Sequence, residues 1–252
     1  MMPTVLTERV GPVRTVRLNR PEKRNALNRE MLDALLDAFR GEPDRAERLT
    51  VLRAEGPVFC AGMDLRERAG TLDTESPIEA VLDAVQHYPL PVVAVVHGDA
   101  IAGGNELALH CDLVVAAESA RFGMSLAQIG LVPTWFLAKK IVETGGPVAA
   151  REMLLLGDPL PAARMHALGM IHKVAPDAGL EAAVEAVTAR LAANAPLAMK
   201  AMKAVMLRQM AFRDAVPHED LLGMLRTARL SRDAQEGIAA RLEKRPANFA
   251  GE

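Results

Sequence analysis

The residues best placed to do chemistry lie in the run His97-Gly98-Asp99-Ala100-Ile101-Ala102-Gly103-Gly104-Asn105-Glu106-Leu107. A β-branched apolar stretch leads into a glycine-bearing turn, and the turn leads into a helix. The first N–H groups of a helix have no partner within it, and the dipole behind them favours negative charge. Glycine lets a ligand or another backbone come close. Glu106 lies three residues beyond Gly103, where it could serve as an acid or base. It could equally do no more than complement the helix dipole, as acidic residues in a first turn commonly do. A second run, Phe59-Cys60-Ala61-Gly62-Met63-Asp64-Leu65, follows a strand and a turn and could present the N–H of Met63. It could also be a plain strand-exit loop. Together the two runs would supply a pair of backbone donors, the arrangement that stabilises an enolate or a tetrahedral oxyanion.

Other reactive residue types argue for less. The six histidines (87, 97, 110, 166, 172 and 218) lack the HxxxH or HExxH spacing of a zinc site. His97 beside the glycine turn reads as structural. Cys60 adjoins the Met63 loop, but no activating base is visible, so it reads as small-residue packing. Met199, Met202, Met206 and Met210 recur at helical spacing and suggest a core or subunit-interface stripe, or the flexible wall of a pocket for an apolar chain. Lys139-Lys140 and Lys200 with Lys203 read as solvated faces that could meet an anion.

Positioning these residues takes an alternation of strands and helices. Two strands occupy the first 20 residues around a Gly11-Pro12 turn. Asn28 looks like an N-cap, and Met31, Leu32, Leu35, Leu36 and Phe39 share one face of a helix over 28–40. Residues 50–53 form a short strand and 77–87 a helix. Pro91 to Val96 is apolar on both faces, as in a strand buried on both sides. A helix over 104–111 and a strand over 112–117 follow. Helices then dominate: 135–144, 147–156, 161–168, 178–194, 196–212, 217–230 and 232–244, with one short strand at 171–174. The class is α/β with a helical C-terminal part. No internal repeat has a fixed residue period.

Composition narrows the function. The 252 residues are 50% hydrophobic and 25% charged, ordinary for a globular protein, with a formal net charge of -2. That balance offers no basic field for nucleic acid, and eight aromatic residues are too few for base-stacking platforms. Two cysteines far apart argue against a disulfide framework and fit a reducing cytoplasm. The N-terminal residues lack the apolar core of a signal peptide, and the longest strongly apolar stretch is too short to span a bilayer.

Five ordered blocks resemble the enoyl-CoA hydratase/isomerase (crotonase) family. Asn19-Arg20-Pro21 through Asn25-Ala26-Leu27 is similar to its NRPxxxNAL opening, and Phe59 to Leu65 to its FxAGxDL loop. Gly98 to Asp112 resembles GxAxGGxxELALxCD. Phe122-Gly123 with Gly130-Leu131-Val132-Pro133 matches FGxxExxxGxxP in part, and Glu236-Gly237-Ile238 with Glu243-Lys244-Arg245-Pro246 matches the terminal EGIxAFxEKRxPxF. The resemblance implies a crotonase-like spiral of ββα repeats over 1–195 carrying an acyl-CoA site. It also implies a helical region over 196–252 that assembles homotrimers or homohexamers. It implies a thioester substrate with coenzyme A as part of it, no separate cofactor and no metal. The Met63 and Gly103 N–H groups would hold the thioester oxygen, with Glu106 as acid/base. Arg24, Ala26, Ala61, Asp64 and Leu65 would contact CoA, and Lys244 would reach a CoA phosphate.

One position departs from the pattern. Hydratases of the family share proton transfer between two glutamates, and the second falls at Leu126 here. Gln128 nearby can hydrogen-bond but cannot shuttle a proton. The expectation is therefore a hydratase-like lyase. The alternatives are another crotonase reaction (isomerisation, decarboxylation or thioester hydrolysis), a weakly catalytic acyl-CoA binder, or a Leu126-reshaped acyl pocket. Arg241 stands where relatives carry an aromatic bordering that pocket, and could bring a cation to its mouth.

Overall fold

A computed structural model of the chain describes residues 2–68 and 77–251. Strands β1 (Val5–Val10) and β2 (Val13–Leu18) form a hairpin, followed by α1 (Arg29–Arg40), β3 (Leu49–Ala54), α2 (Leu65–Arg68) and α3 (Ile78–His87). Next come β4 (Val92–Val96), β5 (Ala100–Ile101), α4 (Gly103–Leu109), β6 (Leu113–Ala117) and β7 (Arg121–Gly123). The chain continues with α5 (Trp135–Arg151), β8 (Leu160–Pro161), α6 (Ala162–Ala167), β9 (Lys173–Ala175), α7 (Leu180–Ala192), α8 (Pro196–Met210), α9 (Glu219–Leu230) and α10 (Arg232–Glu243).

Two sheets organise these elements. The larger has the order β1-β2-β3-β4-β6-β9, antiparallel at the first pair and parallel thereafter. All five residues of β4 are buried, as its two-faced apolar sequence predicts. The smaller sheet, β5-β7-β8, is extended by single bridges from Cys60 to Ala100 and from Leu27 to Met63. Each successive turn of chain thus lays one strand in the large sheet, one short extended piece in the small one, and then a helix. That is the ββα spiral.

Local signals account for the pieces. Asn28 caps α1, its side chain accepting from the Met31 N–H at 3.1 Å, and Met31, Leu32, Leu35 and Phe39 are buried. The break expected between 144 and 147 is a kink in α5 at Gly146, whose φ of 71° interrupts the helix before Pro147. Residues 152–156 then wind as a π-helix that Gly157 ends in the left-handed region. The short strand expected at 171–174 lies at 173–175 instead, after the buried Met170 and Ile171.

Two expectations about the helical part hold only in part. Lys203 is buried and donates to Asp112 Oδ2 at 2.6 Å and to the Leu90 carbonyl at 3.2 Å, tying α8 to the large sheet. Lys139 and Lys140 are mostly covered and face Glu143. Buried cations need such partners; Lys139 also meets Asp214, whereas Lys200 is exposed beside Glu42, as expected. Of the methionine series only Met199 is buried; Met202, Met206 and Met210 are exposed, so the stripe is not core.

Candidate active site

The Met63 loop is held between two segments far from it in sequence. On one side Leu27 N donates to the Gly62 carbonyl at 2.8 Å and Asp64 N to the Leu27 carbonyl at 2.9 Å. On the other, Cys60 N donates to the Asp99 carbonyl at 3.1 Å and Ile101 N to the Cys60 carbonyl at 2.9 Å. The fully buried Asn25 side chain braces this junction, donating to the Glu55 and Val58 carbonyls, each at 2.8 Å, and accepting from Arg20 N. The NRP–NAL segment is therefore a clamp on the loop.

Three glycines permit the close approach of loop and helix. A Cβ at Gly104 would lie 2.3 Å from the Cys60 carbonyl oxygen, and one at Gly62 would lie 2.9 Å from that of Ile101. Gly62 also has a φ of +89°, which disfavours any other residue. The same Gly62 Cβ position is 3.3 Å from Gly103 N. Met63 N is bonded to the Gly62 carbonyl carbon, so ordinary bond lengths keep the two nitrogens within about 7 Å. One oxygen can accept from both when they stand within about 6 Å of each other, inside that bound. Neither N–H donates to another group among the described residues. Ala102, immediately before Gly103, has a φ of 48° and ψ of -114°, a costly conformation that the surrounding hydrogen bonds enforce.

Both residues line a cavity of about 120 Å³, together with Ala61, Leu65, Leu126 and a largely aliphatic remainder that includes Ile78, Ile129 and Leu131. Arg68, Arg229 and Arg241 also reach it. Leu126 opens a single 3-10 turn (Ala127–Ile129) and presents hydrocarbon to the cavity. Gln128 points elsewhere, donating to the Leu156 carbonyl and to Asp158.

Glu106 is not part of the cavity lining. It is fully enclosed behind Gly103, and neither carboxyl oxygen has a hydrogen-bond partner. Burial pushes its pKa well above the usual carboxylate range, and the Lys140 cation opposes this only in part. Its helical neighbour His110 is buried too, its Nδ1 3.6 Å from Glu106 Oε2 and 2.8 Å from the Glu106 backbone oxygen. Burial, aided by Lys140, lowers the His110 pKa to about 3, so its imidazole, stacked on Phe136, is uncharged, while the same burial works against the ionised form of Glu106. The Cys60 thiol is pushed up to about 12 by burial and is inert at neutral pH. His97 bonds the Gly56 carbonyl, a structural contact.

The remaining sequence candidates are spread around this centre. Arg24 is exposed, and its carbonyl accepts from Ala61 N at 3.0 Å. Ala26 is half-buried, and its carbonyl accepts from the Arg20 guanidinium. Asp64 is held by Arg20 at 3.4 Å, a pairing not apparent in the sequence. Lys244 is the exposed left-handed cap of α10, with a φ of 58°. None of these four lines the cavity with Met63 and Gly103.

A ββα spiral with an aliphatic cavity beside its small sheet defines the class: a crotonase fold. The chain belongs to the enoyl-CoA hydratase/isomerase family, whose model matches residues 8–252. It is 35% identical over 264 residues to an enoyl-CoA hydratase of Mycobacterium tuberculosis, covering 98% of this chain and 96% of that one. It is 33% identical over 260 residues to the 2,3-dehydroadipyl-CoA hydratase of Escherichia coli, covering 99% and 100%. Among solved structures, methylmalonyl-CoA decarboxylase complexed with 2S-carboxypropyl CoA superposes with a TM-score of 0.92 at 26% identity, over 100% of both chains.

Proposed function

We propose that the protein is an enoyl-CoA hydratase-like lyase. The substrate is an acyl-CoA thioester, and the reaction passes through an enolate whose oxygen is held by the Met63 and Gly103 N–H groups. The observation that carries this reading is the pair of undonated N–H groups drawn together by Gly62, Gly103 and Gly104 at the wall of an aliphatic cavity. Addition of water to an α,β-unsaturated thioester places negative charge on that oxygen. Each fixed donor aimed at such a charge contributes roughly 3 kcal/mol to the barrier reduction. Arg24, Ala26, Ala61, Asp64, Leu65 and Lys244 border the path of the CoA moiety, which enters as part of the substrate. Two free, buried thiols suit a reducing compartment such as the cytoplasm.

Glu106 is assigned both proton transfers: its carboxyl gives a proton to C2, and the carboxylate so formed takes one from the water that adds at C3. Burial raises the pKa of this carboxyl towards the working pH, which suits an acid–base group, and substrate entry must bring the reacting carbon within its reach. Leu126 supports a second reading, a reaction that needs one carboxyl group only: isomerisation, decarboxylation or thioester hydrolysis, or binding with little turnover.

One assay separates these readings: crotonyl-CoA hydration by the wild type, Glu106→Gln and Leu126→Glu. Positioned acid–base catalysis contributes about 10²–10⁴-fold, so the wild type is expected at least about tenfold below a two-glutamate relative. Leu126→Glu is expected to raise the rate and Glu106→Gln to abolish it. Turnover that survives Glu106→Gln would overturn the assignment of Glu106.

A further inference from the structure

The cavity that contains Met63 and Gly103 is lined by three arginines and, among the described residues, by no acidic residue. Arg68 comes from the end of α2, Arg229 from the last turn of α9 and Arg241 from α10. They converge because α10 lies directly on the turn that follows Leu126. A Cβ at Gly237 would come within 2.3 Å of the Ile129 carbonyl, and one at Gly130 within 2.5 Å of that of Asp233, so both positions are closed to larger residues. Arg229 is half-buried, and its Nε is enclosed without an acceptor. Burial and the neighbouring Arg229 charge both lower the pKa of Arg68. Arginine cannot escape such a site by losing its proton, and an enclosed N–H such as Arg229 Nε without an acceptor is costly. An arriving anion would relieve the cost.

We infer that the acyl group this cavity accepts carries a second carboxylate, at the end remote from the thioester, and that Arg229 and Arg241 hold it. The inference rests on the reading of the cavity as an acyl-CoA site. A carboxylate matches the guanidinium fork, taking two parallel N–H···O bonds. The phosphates of CoA are the other possible anion. They are separated from the thioester by the whole pantetheine arm, whereas the guanidinium groups share one cavity of about 120 Å³ with the N–H pair. Apart from Ser125 and Thr134 the rest of the lining is apolar, suited to the few methylene groups between the two carbonyl carbons. The ligand class is thus a short dicarboxylic acid joined to CoA through one end.

The test is calorimetric binding of saturated thioesters that cannot be hydrated: glutaryl-CoA, the chain-matched pentanoyl-CoA, and CoA alone. Glutaryl-CoA is expected to bind at least about tenfold more tightly than pentanoyl-CoA, equivalent to about 1.4 kcal/mol. Arg229→Gln and Arg241→Gln are expected to erase most of that preference while leaving pentanoyl-CoA within about twofold of wild type, since they remove only charge-assisted bonds. Pentanoyl-CoA binding as tightly as glutaryl-CoA to the wild type would overturn the inference, whatever the variants do. So would an equal loss of all three ligands in the variants, which would assign the arginines to the phosphates. Failure of every thioester to bind would instead overturn the acyl-CoA reading beneath it.

Discussion

At the scale of single residues, the enclosed pair Glu106 and His110 dominates the behaviour of the site. Glu106 has its pKa raised by folding, so below its unfolded pKa both states are protonated and the group is neutral in the balance. As pH climbs above about 4.5, the unfolded chain releases this proton while the folded one keeps it, and stability falls. His110 has its pKa lowered to about 3, so its contribution is lost as pH falls from about 6.5 towards 3. Between about pH 4.5 and 6.5 the two slopes oppose each other, so wild-type stability alone separates them poorly there. Glu106→Gln removes the first and keeps the second. The variant is expected to gain stability over wild type as pH rises from 5 to 8, measured by urea denaturation at fixed ionic strength. A difference independent of pH would mean that Glu106 ionises freely in the folded protein. Glu106, Met63 and Gly103 could be picked out from the sequence because a glycine turn before a helix leaves characteristic residue types. The enclosure of Glu106 could not, since it depends on α5 laying Phe136 and Lys140 over α4. Arg68 and Arg229 were equally hidden: their convergence joins segments that share no motif.

At the scale of elements, strong local signals read true and weak ones vanished. Helix α1 carries its cap and its apolar face in one stretch of sequence, and β4 is a single β-branched run. Strands β5, β7 and β8 have two or three residues each, too few for any periodicity to register, yet they build the second wall of the spiral. The lysines of α5 and α8 misled for a related reason. A lysine on a helix looks solvated until its partner is known, and Asp112 lies 91 residues from Lys203. That pair sits where α8 crosses the large sheet, and Asp112 Oδ2 also accepts from Val92 N at 2.7 Å, at the start of β4. Removing one partner of a buried pair strands the other charge, at a cost of roughly 3 kcal/mol. Lys203→Ala is therefore expected to lower unfolding stability by about that amount, read from the denaturant midpoint at unchanged m-value. Asp112→Asn in the Lys203→Ala background is expected to recover part of it, because the stranded charge is then gone. A loss below ~1 kcal/mol in the single variant would place the pair among ordinary surface bridges.

At the scale of the whole molecule, the spiral repeats without a sequence period. Its successive large-sheet strands begin at Val13, Leu49, Val92 and Leu113, at unequal spacings, because loops and helices of different lengths intervene. The same irregularity leaves the C-terminal helices unevenly employed. Helix α9 buries none of its twelve residues within the chain, and α8 buries only Met199 and Lys203. Ordering a helix costs conformational entropy that its own hydrogen bonds barely offset. Such helices need an apolar partner, and Met202, Met206, Phe212, Leu222 and Met224 offer one a large exposed surface. Copies of this chain are the expected partner, in a closed trimer or a pair of trimers, as the family resemblance implies. Light scattering at micromolar concentration is expected to give three or six chain masses, and a clean monomer would refute this. Placing a charge in the patch with Met206→Glu is expected to shift the mass towards the monomer. The consequence extends to the cavity, because Arg229 stands on α9. If assembly is what orders α9, the dissociated Met206→Glu variant will lose the preference for glutaryl-CoA over pentanoyl-CoA, although Met206 itself does not line the cavity. A dissociated variant that keeps the full preference would show that α9 holds Arg229 in place unaided.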